Sequence, residues 1–270
     1  MPAPLLSVVA THNPHRWYLP LNEHLCVGPA GRAFMFGGVG LAAAIQAMER
    51  TCQRPLVWAT AQYLSFARPP SVVDLDVWVP NAGHSTTQAR VIGHVGEKEI
   101  FTVNAALGSR PSEVSRQWVE APLVPPPADC APTDHWRGDE GGLHGQIEMR
   151  LAKGTYGFDM RGAAPSEDGR LIMWMRPKAG QAIDAAMLAI LADHVPSGIG
   201  NALGVNAGGS SLDNTLRVLR LAPTEWVLCD ISIHGVHGGF GHGAMRLFAE
   251  DGQLMATASQ SVIVRVHEPD

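Results

Sequence analysis

Charge is scarce in this sequence. Only 17% of its 270 residues are Asp, Glu, Lys or Arg, and the formal net charge is -5. That balance leaves no basic footprint for a nucleic-acid partner. No apolar run approaches the roughly 18 to 20 residues of a membrane-spanning helix, so no membrane span is expected. The opening MPAPLLSVVATHNPHRW has no basic stretch followed by a long apolar one, and a soluble, cytoplasmic protein is the expectation. Cys26, Cys52, Cys130 and Cys229 are the only cysteines and show no C-x-x-C spacing, which argues against a disulfide framework or a zinc site. A G-x-S-x-G elbow is missing too, because Gly83-His84-Ser85 fails at the second glycine. The glycines of Gly238 to Gly243 lack the strand-to-helix context of a dinucleotide site. No cofactor and no metal is expected.

What is present is a buried helix. In Phe36 to Arg50, FGGVGLAAAIQAMER, apolar or tiny residues fall on almost every face before Glu49 and Arg50. A helix with no wet face is a buried one. Gly37, Gly38 and Gly40 weaken its first turn by roughly 1 kcal/mol each relative to Ala, which points to close backbone approach or a needed backbone amide.

Strand-like runs follow at Leu56 to Arg68, Val72 to Val79, Ser85 to His94 and Glu99 to Leu107, separated by turn residues. The Pro- and Gly-rich stretch 113–143 has no sustained period and reads as a linker over the surface. Beyond it come strands at Gln146 to Leu151 and Leu171 to Arg176, an apolar helical segment at Ala182 to Ala192 capped at Asp184 or earlier, and four more strands.

The order repeats. Ala59 to Arg68 can be laid over Ser211 to Arg220, and Ile100 to Ala106 over Leu254 to Gln260. Each half is too small a sheet to cover its own helix, so the two should join edge to edge. The expected fold is α+β: a double hotdog of two antiparallel sheets joined edge to edge, each wrapping a central helix. The expected divisions are an N-terminal hotdog at 1–112, degenerate and non-catalytic, the linker at 113–143, and a C-terminal hotdog at 144–270 carrying the chemistry.

Three polar residues stand out in the second half. Gln260 sits among Leu254, Ala256, Ala258, Val262 and Val264 on one face of the last strand, where an unpaired carboxamide would cost about 1 to 3 kcal/mol. It either bonds neighbouring backbone or lines a cavity. Asp193 ends a buried apolar segment, and taken alone a helix cap before Pro196 explains it better than catalysis does. Ser211 shares the period-two face of Asp213, Thr215 and Arg217 and fits a solvated strand end. The repeat sets these three against Val39, Ala59 and Ala106, so the first half is apolar where the second is polar. One active copy beside a degenerate twin fits that pattern. His234, His237 and His242 invite a metal, but their Gly-rich run between two strands reads first as a hairpin turn.

At this point the chain resembles the type II acyl-CoA thioesterases, a double hotdog family. The likeness rests on Phe36-Gly37-Gly38, Arg68-Pro69, Leu191-Ala192-Asp193, Ser211-Leu212-Asp213, Glu225-Trp226, Asp251-Gly252-Gln253-Leu254, Ala258-Ser259-Gln260 and Arg265, in that order. It implies hydrolysis of an acyl-CoA to free acid and CoA, with Asp193, Ser211 and Gln260 positioning a water. Gly37 or Gly38 would supply an oxyanion amide. Two departures are visible: Val39 stands where Gln is common, and Ser211 where Thr is common.

Two rival readings are kept. A non-catalytic acyl-CoA or lipid-binding hotdog would need the groove but not all three polar groups. A hotdog hydratase would need an Asp and His pair, and Asp193-His194 are helix neighbours that point about 100° apart. Exposed sheet edges also lead to the expectation of a homodimer or larger homo-oligomer.

Overall fold

The computed structural model describes residues 4–29, 31–133, 141–157, 160, 163–178 and 180–267. Part of the expected linker, 134–140, therefore lies outside the described residues. The first half runs through Val9–Ala10 (β1), Arg16–Leu21 (β2), Cys26–Val27 (β3), Phe34–Met35 (β4), the helix Gly37–Cys52 (α1), Leu56–Tyr63 (β5), Ser71–Ala82 (β6), Thr86–Val95 (β7) and Lys98–Gly108 (β8). The second runs through Ala131–Pro132 (β9), Ile147–Lys153 (β10), Arg170–Pro177 (β11), the helices Ala185–Ala192 (α2) and Ser197–Leu203 (α3), Ala207–Ser211 (β12), Asp213–Val218 (β13), Val227–His237 (β14), Phe240–Ala249 (β15) and Leu254–Val266 (β16).

Fourteen of these strands form one continuous antiparallel sheet, in the order β1, β2, β6, β7, β8, β5, β13, β16, β15, β14, β11, β10, β9, with β12 also paired to β16. The strands around each helix have the same connectivity. In the first half β2, α1, β5, β6, β7, β8 gives the order β2, β6, β7, β8, β5; in the second β11, α2, β13, β14, β15, β16 gives β11, β14, β15, β16, β13. The halves meet where β5 pairs with β13, from Asp213 opposite Gln62 to Arg217 opposite Trp58. Thr60 and Thr215 face each other there, with their hydroxyls 2.8 Å apart.

The sheet buries both helices on one face. From Gly38 to Met48 only Gln46 keeps partial exposure, and all eight residues of α2 are buried. Asp184 caps α2, its Oδ1 accepting from the Met187 amide at 2.8 Å. The two helices cross closely: a Cβ on Gly38 would stand 2.9 Å from the Ala189 carbonyl oxygen and 3.0 Å from the Ile190 Cα. The leading glycines of α1 permit that approach.

Three sequence expectations are corrected. The strand expected to reach Arg68 stops at Tyr63, because Leu64 and Ser65 both turn their amides to the Ile100 carbonyl and the chain leaves the sheet. Five strands follow α2 rather than four. Ser211 pairs with Val262 while Thr215 pairs with Ser259, so one residue is inserted near Leu212 and splits β12 from β13. Leu254 does not share the inner face of Ala256 and Ala258. A register shift beside Phe248 turns it to the outer side, where it packs with Trp174, Trp226 and Phe248.

The described part of the linker covers that outer side. Val119, Ala121 and Val124 pack on the tryptophan cluster, and Trp174 Nε1 donates to the Pro125 carbonyl at 2.9 Å. His237 and Phe240 close a hairpin over Gly238 and Gly239, whose φ angles of 58° and 81° suit its turn.

Candidate active site

Asp193 follows the last turn of α2 and is 4% exposed. It caps no new helix: α3 begins at Ser197, with Pro196 as its N-cap and no side-chain cap, and the Asp193 carboxylate turns toward α1 instead. Its Oδ2 accepts from the Gly38 amide at 2.6 Å. Its Oδ1 accepts from Gln260 Nε2, from Ser211 Oγ at 3.3 Å and from Asn214 Nδ2 at 3.5 Å. Gln260 Nε2 also lies 3.3 Å from Ser211 Oγ. The three residues singled out in the sequence thus share one hydrogen-bonded cluster.

Local structure explains how each arrives. Gln260 lies on the buried face of β16 with Ala256, Ala258 and Val262, opposite Gly243. The inserted residue near Leu212 reverses the period-two count, so Ser211 joins the inner face of Asn214 and Leu216 instead of that of Asp213 and Thr215. That bulge is why strict alternation gave Ser211 a solvated reading.

Burial pushes the Asp193 carboxyl up to about 7, against the opposing pull of the Gly38 amide, Gln260 and Ser211. A carboxylate that accepts hydrogen bonds yet titrates near neutrality is suited to take a proton from water. The start of α1 adds its dipole, since α1 has no acidic residue in its first turn and Asp193 lies across its amides.

The two glycines proposed as oxyanion donors differ. Gly38 already donates to Asp193, whereas the Gly37 amide has no backbone acceptor among the described residues. A Cβ on Gly37 would stand 2.8 Å from Asp193 Oδ2, 2.9 Å from Tyr63 Cζ and 3.1 Å from Tyr63 Oη.

Sequence reasoning missed Asn214 and Tyr63. Asn214 is fully buried on β13, and Tyr63 ends the inner-facing series Ala59, Ala61, Tyr63 on β5. An asparagine next to an insertion in the ladder was the available signal; a tyrosine closing an apolar series carries none. Among the described residues, the buried oxygens of Tyr63, Asn214 and Gln260 have no well-formed hydrogen bond.

His194 points elsewhere. Its Nδ1 bonds the Leu191 carbonyl at 3.1 Å, and its ring packs against Phe36 and His144. Burial, and next the proximity of His144, pull its pKa down to about 3, so it stays neutral at working pH. It shares no hydrogen bond with Asp193, and the pairing a hydratase would need is not formed.

The chain matches the family model for the acyl-CoA thioesterase C-terminal domain over residues 127–264. The chain belongs to the acyl-CoA thioesterase family. It is a thioester hydrolase, which sets aside the non-catalytic reading. A protein described as a thioesterase from Novosphingobium aromaticivorans is similar at 35% identity, with 95% of this chain and 97% of that chain covered and a TM-score of 0.84. A hotdog-fold protein from Alicyclobacillus acidocaldarius is similar at 18% identity, with 98% and 97% covered and a TM-score of 0.81. The acyl-CoA thioesterase II TesB2 of Mycobacterium marinum is similar at 18% identity, with 98% of each chain covered and a TM-score of 0.74. The thioesterase therefore has a hotdog fold. No match was found among curated proteins. Among the described residues, no helix is long and apolar enough to cross a membrane.

Proposed function

We propose that this thioesterase hydrolyses acyl-CoA by a water held between Asp193, Ser211 and Gln260. The water attacks the thioester carbonyl as Asp193 takes its proton, and the C–S bond breaks to release CoA and the free acid. The observation that carries this reading is the Asp193 carboxylate, buried among donors from both halves of the chain and held at about 7. The Gly37 amide, at the positive end of α1, is the helix donor left to face the developing oxyanion.

The chain is read as a double hotdog. Residues 1–112 form a unit whose own pocket is degenerate, 113–143 form the linker, and 144–270 carry the catalytic residues. The apolar positions Val39, Ala59 and Ala106 support that division, since they offer no polar group where the repeat aligns Asp193, Ser211 and Gln260. Cys26, Cys52, Cys130 and Cys229 form no disulfide among the described residues, which fits a reducing, cytoplasmic setting. Association through sheet edges into a homodimer or larger homo-oligomer completes the reading.

Free-thiol release from short-, medium- and long-chain acyl-CoAs tests the substrate class. Turnover of at least one chain-length group supports acyl-CoA as the substrate. Thiol release from none of them, by folded protein, would refute it.

A further inference from the structure

Tyr63 is a buried polar group beside the candidate site that the proposed water-holding residues do not use. It is the last residue of β5, in the first half of the chain, yet its amide donates to the Leu212 carbonyl at 3.0 Å across the seam. Its position is thereby fixed against the half that carries Asp193. Its side chain points inward with Ala59 and Ala61, and its buried hydroxyl makes no well-formed hydrogen bond among the described residues. Buried tyrosine hydroxyls normally find a partner, so this one is placed for something the protein itself does not supply.

The missing side chain of Gly37 locates that something. The point where its Cβ would stand is 2.8 Å from Asp193 Oδ2 and 3.1 Å from Tyr63 Oη. Carboxylate, phenol and the first turn of α1 therefore surround one point, and glycine leaves it open. Asn214 approaches the phenol from β13 and favours its ionised form. Burial, and after it the charge of Asp193, outweigh this and push the phenol pKa well above its ordinary value. The hydroxyl therefore remains a donor at every pH at which the enzyme works.

From this arrangement we infer that Tyr63 is a further catalytic residue, donating its hydroxyl hydrogen bond to the carbonyl oxygen of the thioester. The inference rests on the hydrolase reading of Asp193. As the water oxygen bonds to the carbonyl carbon, one water proton passes to Asp193 and the C=O π pair moves onto oxygen. Tyr63 stabilises that oxyanion without giving up its proton. When the carbonyl re-forms, the C–S bond breaks, the sulfur leaves as thiolate, and the proton held by Asp193 returns to it. The half otherwise read as degenerate thus supplies part of the oxyanion site.

Tyr63→Phe tests this, because it deletes one unpartnered oxygen and leaves the ring. A structural role would leave kcat unchanged, with the melting temperature unchanged or raised. An oxyanion donor predicts a loss of about 10²- to 10³-fold in kcat, with KM altered by less than about threefold and the melting temperature not lowered. A kcat within about threefold of wild type overturns the inference.

A second readout does not need turnover. In an Asp193→Asn background, the infrared carbonyl band of a bound ¹³C-labelled acyl-CoA should move to higher wavenumber when Tyr63→Phe is added. An unmoved band overturns the role of Tyr63. The Asp193 reading fails separately, if Asp193→Asn alone still releases thiol at the wild-type rate.

Discussion

The Gly38 amide and the Asp193 carboxylate, 155 positions apart in the chain, meet at 2.6 Å. The bond ties the first turn of α1 to the end of α2 and leaves no room for a side chain between them. A Cβ on Gly38 would stand 2.8 Å from Asp193 Cβ and 2.9 Å from the Ala189 carbonyl oxygen. Because a backbone atom is among those neighbours, relief requires the helices to separate. Gly38→Ala is expected to cost about 1 to 3 kcal/mol of stability and to reduce kcat, as followed by chemical denaturation and thiol release. Wild-type stability and rate in that variant would mean the helices do not cross this closely.

The raised pKa of Asp193 makes two pH-dependent statements. For activity, kcat/KM should rise with pH through an acid limb near 7 and then level off, since the proposed base is the deprotonated form. A profile flat from about pH 5 to about pH 8 would remove Asp193 from that role.

For stability the sign is opposite. Below about pH 4 the folded and unfolded chains both hold the proton, and burial costs nothing. As pH rises toward about 7 the unfolded chain releases it first, so stability falls, by an amount on the order of 4 kcal/mol when the folded group has also ionised. Asp193→Asn lacks that loss. Its melting temperature relative to wild type should therefore climb between about pH 5 and about pH 8. A pH-independent difference would contradict the burial account.

Gln260 donates to the ionised form of Asp193 and so lowers its pKa. Gln260→Leu removes a hydrogen bond to a charged group, worth about 1.5 to 3 kcal/mol, and should move the acid limb of the rate profile to higher pH while lowering the plateau. Movement of the limb to lower pH would show that Gln260 acts some other way. Ser211→Thr keeps the hydroxyl and should retain most activity, whereas Ser211→Ala should lose about tenfold or more.

Much of this was legible before any coordinates. The all-apolar α1, its leading glycines and the repeated helix-and-strand order follow from side-chain pattern, which is local information. The interest in Asp193, Ser211 and Gln260 came from comparing the two halves, where Val39, Ala59 and Ala106 offer no polar group. What could not be read depends on register. One residue inserted near Leu212 sends Ser211 inward, and one shift beside Phe248 sends Leu254 outward. Tyr63 was hidden for a different reason: its neighbours in space, Gly37 and Asp193, come from other elements, and its own strand reads as core. The split between the two glycine amides was equally tertiary, because only the crossing of α1 over α2 commits Gly38 to Asp193.

Thiol release by wild type and Asp193→Asn, side by side on one acyl-CoA that the wild type turns over, tests the proposed base most directly. The variant keeps the size of the side chain and should stay folded, yet lose at least about a hundredfold in kcat. A folded Asp193→Asn enzyme that still releases thiol at the wild-type rate would contradict the mechanism at its centre.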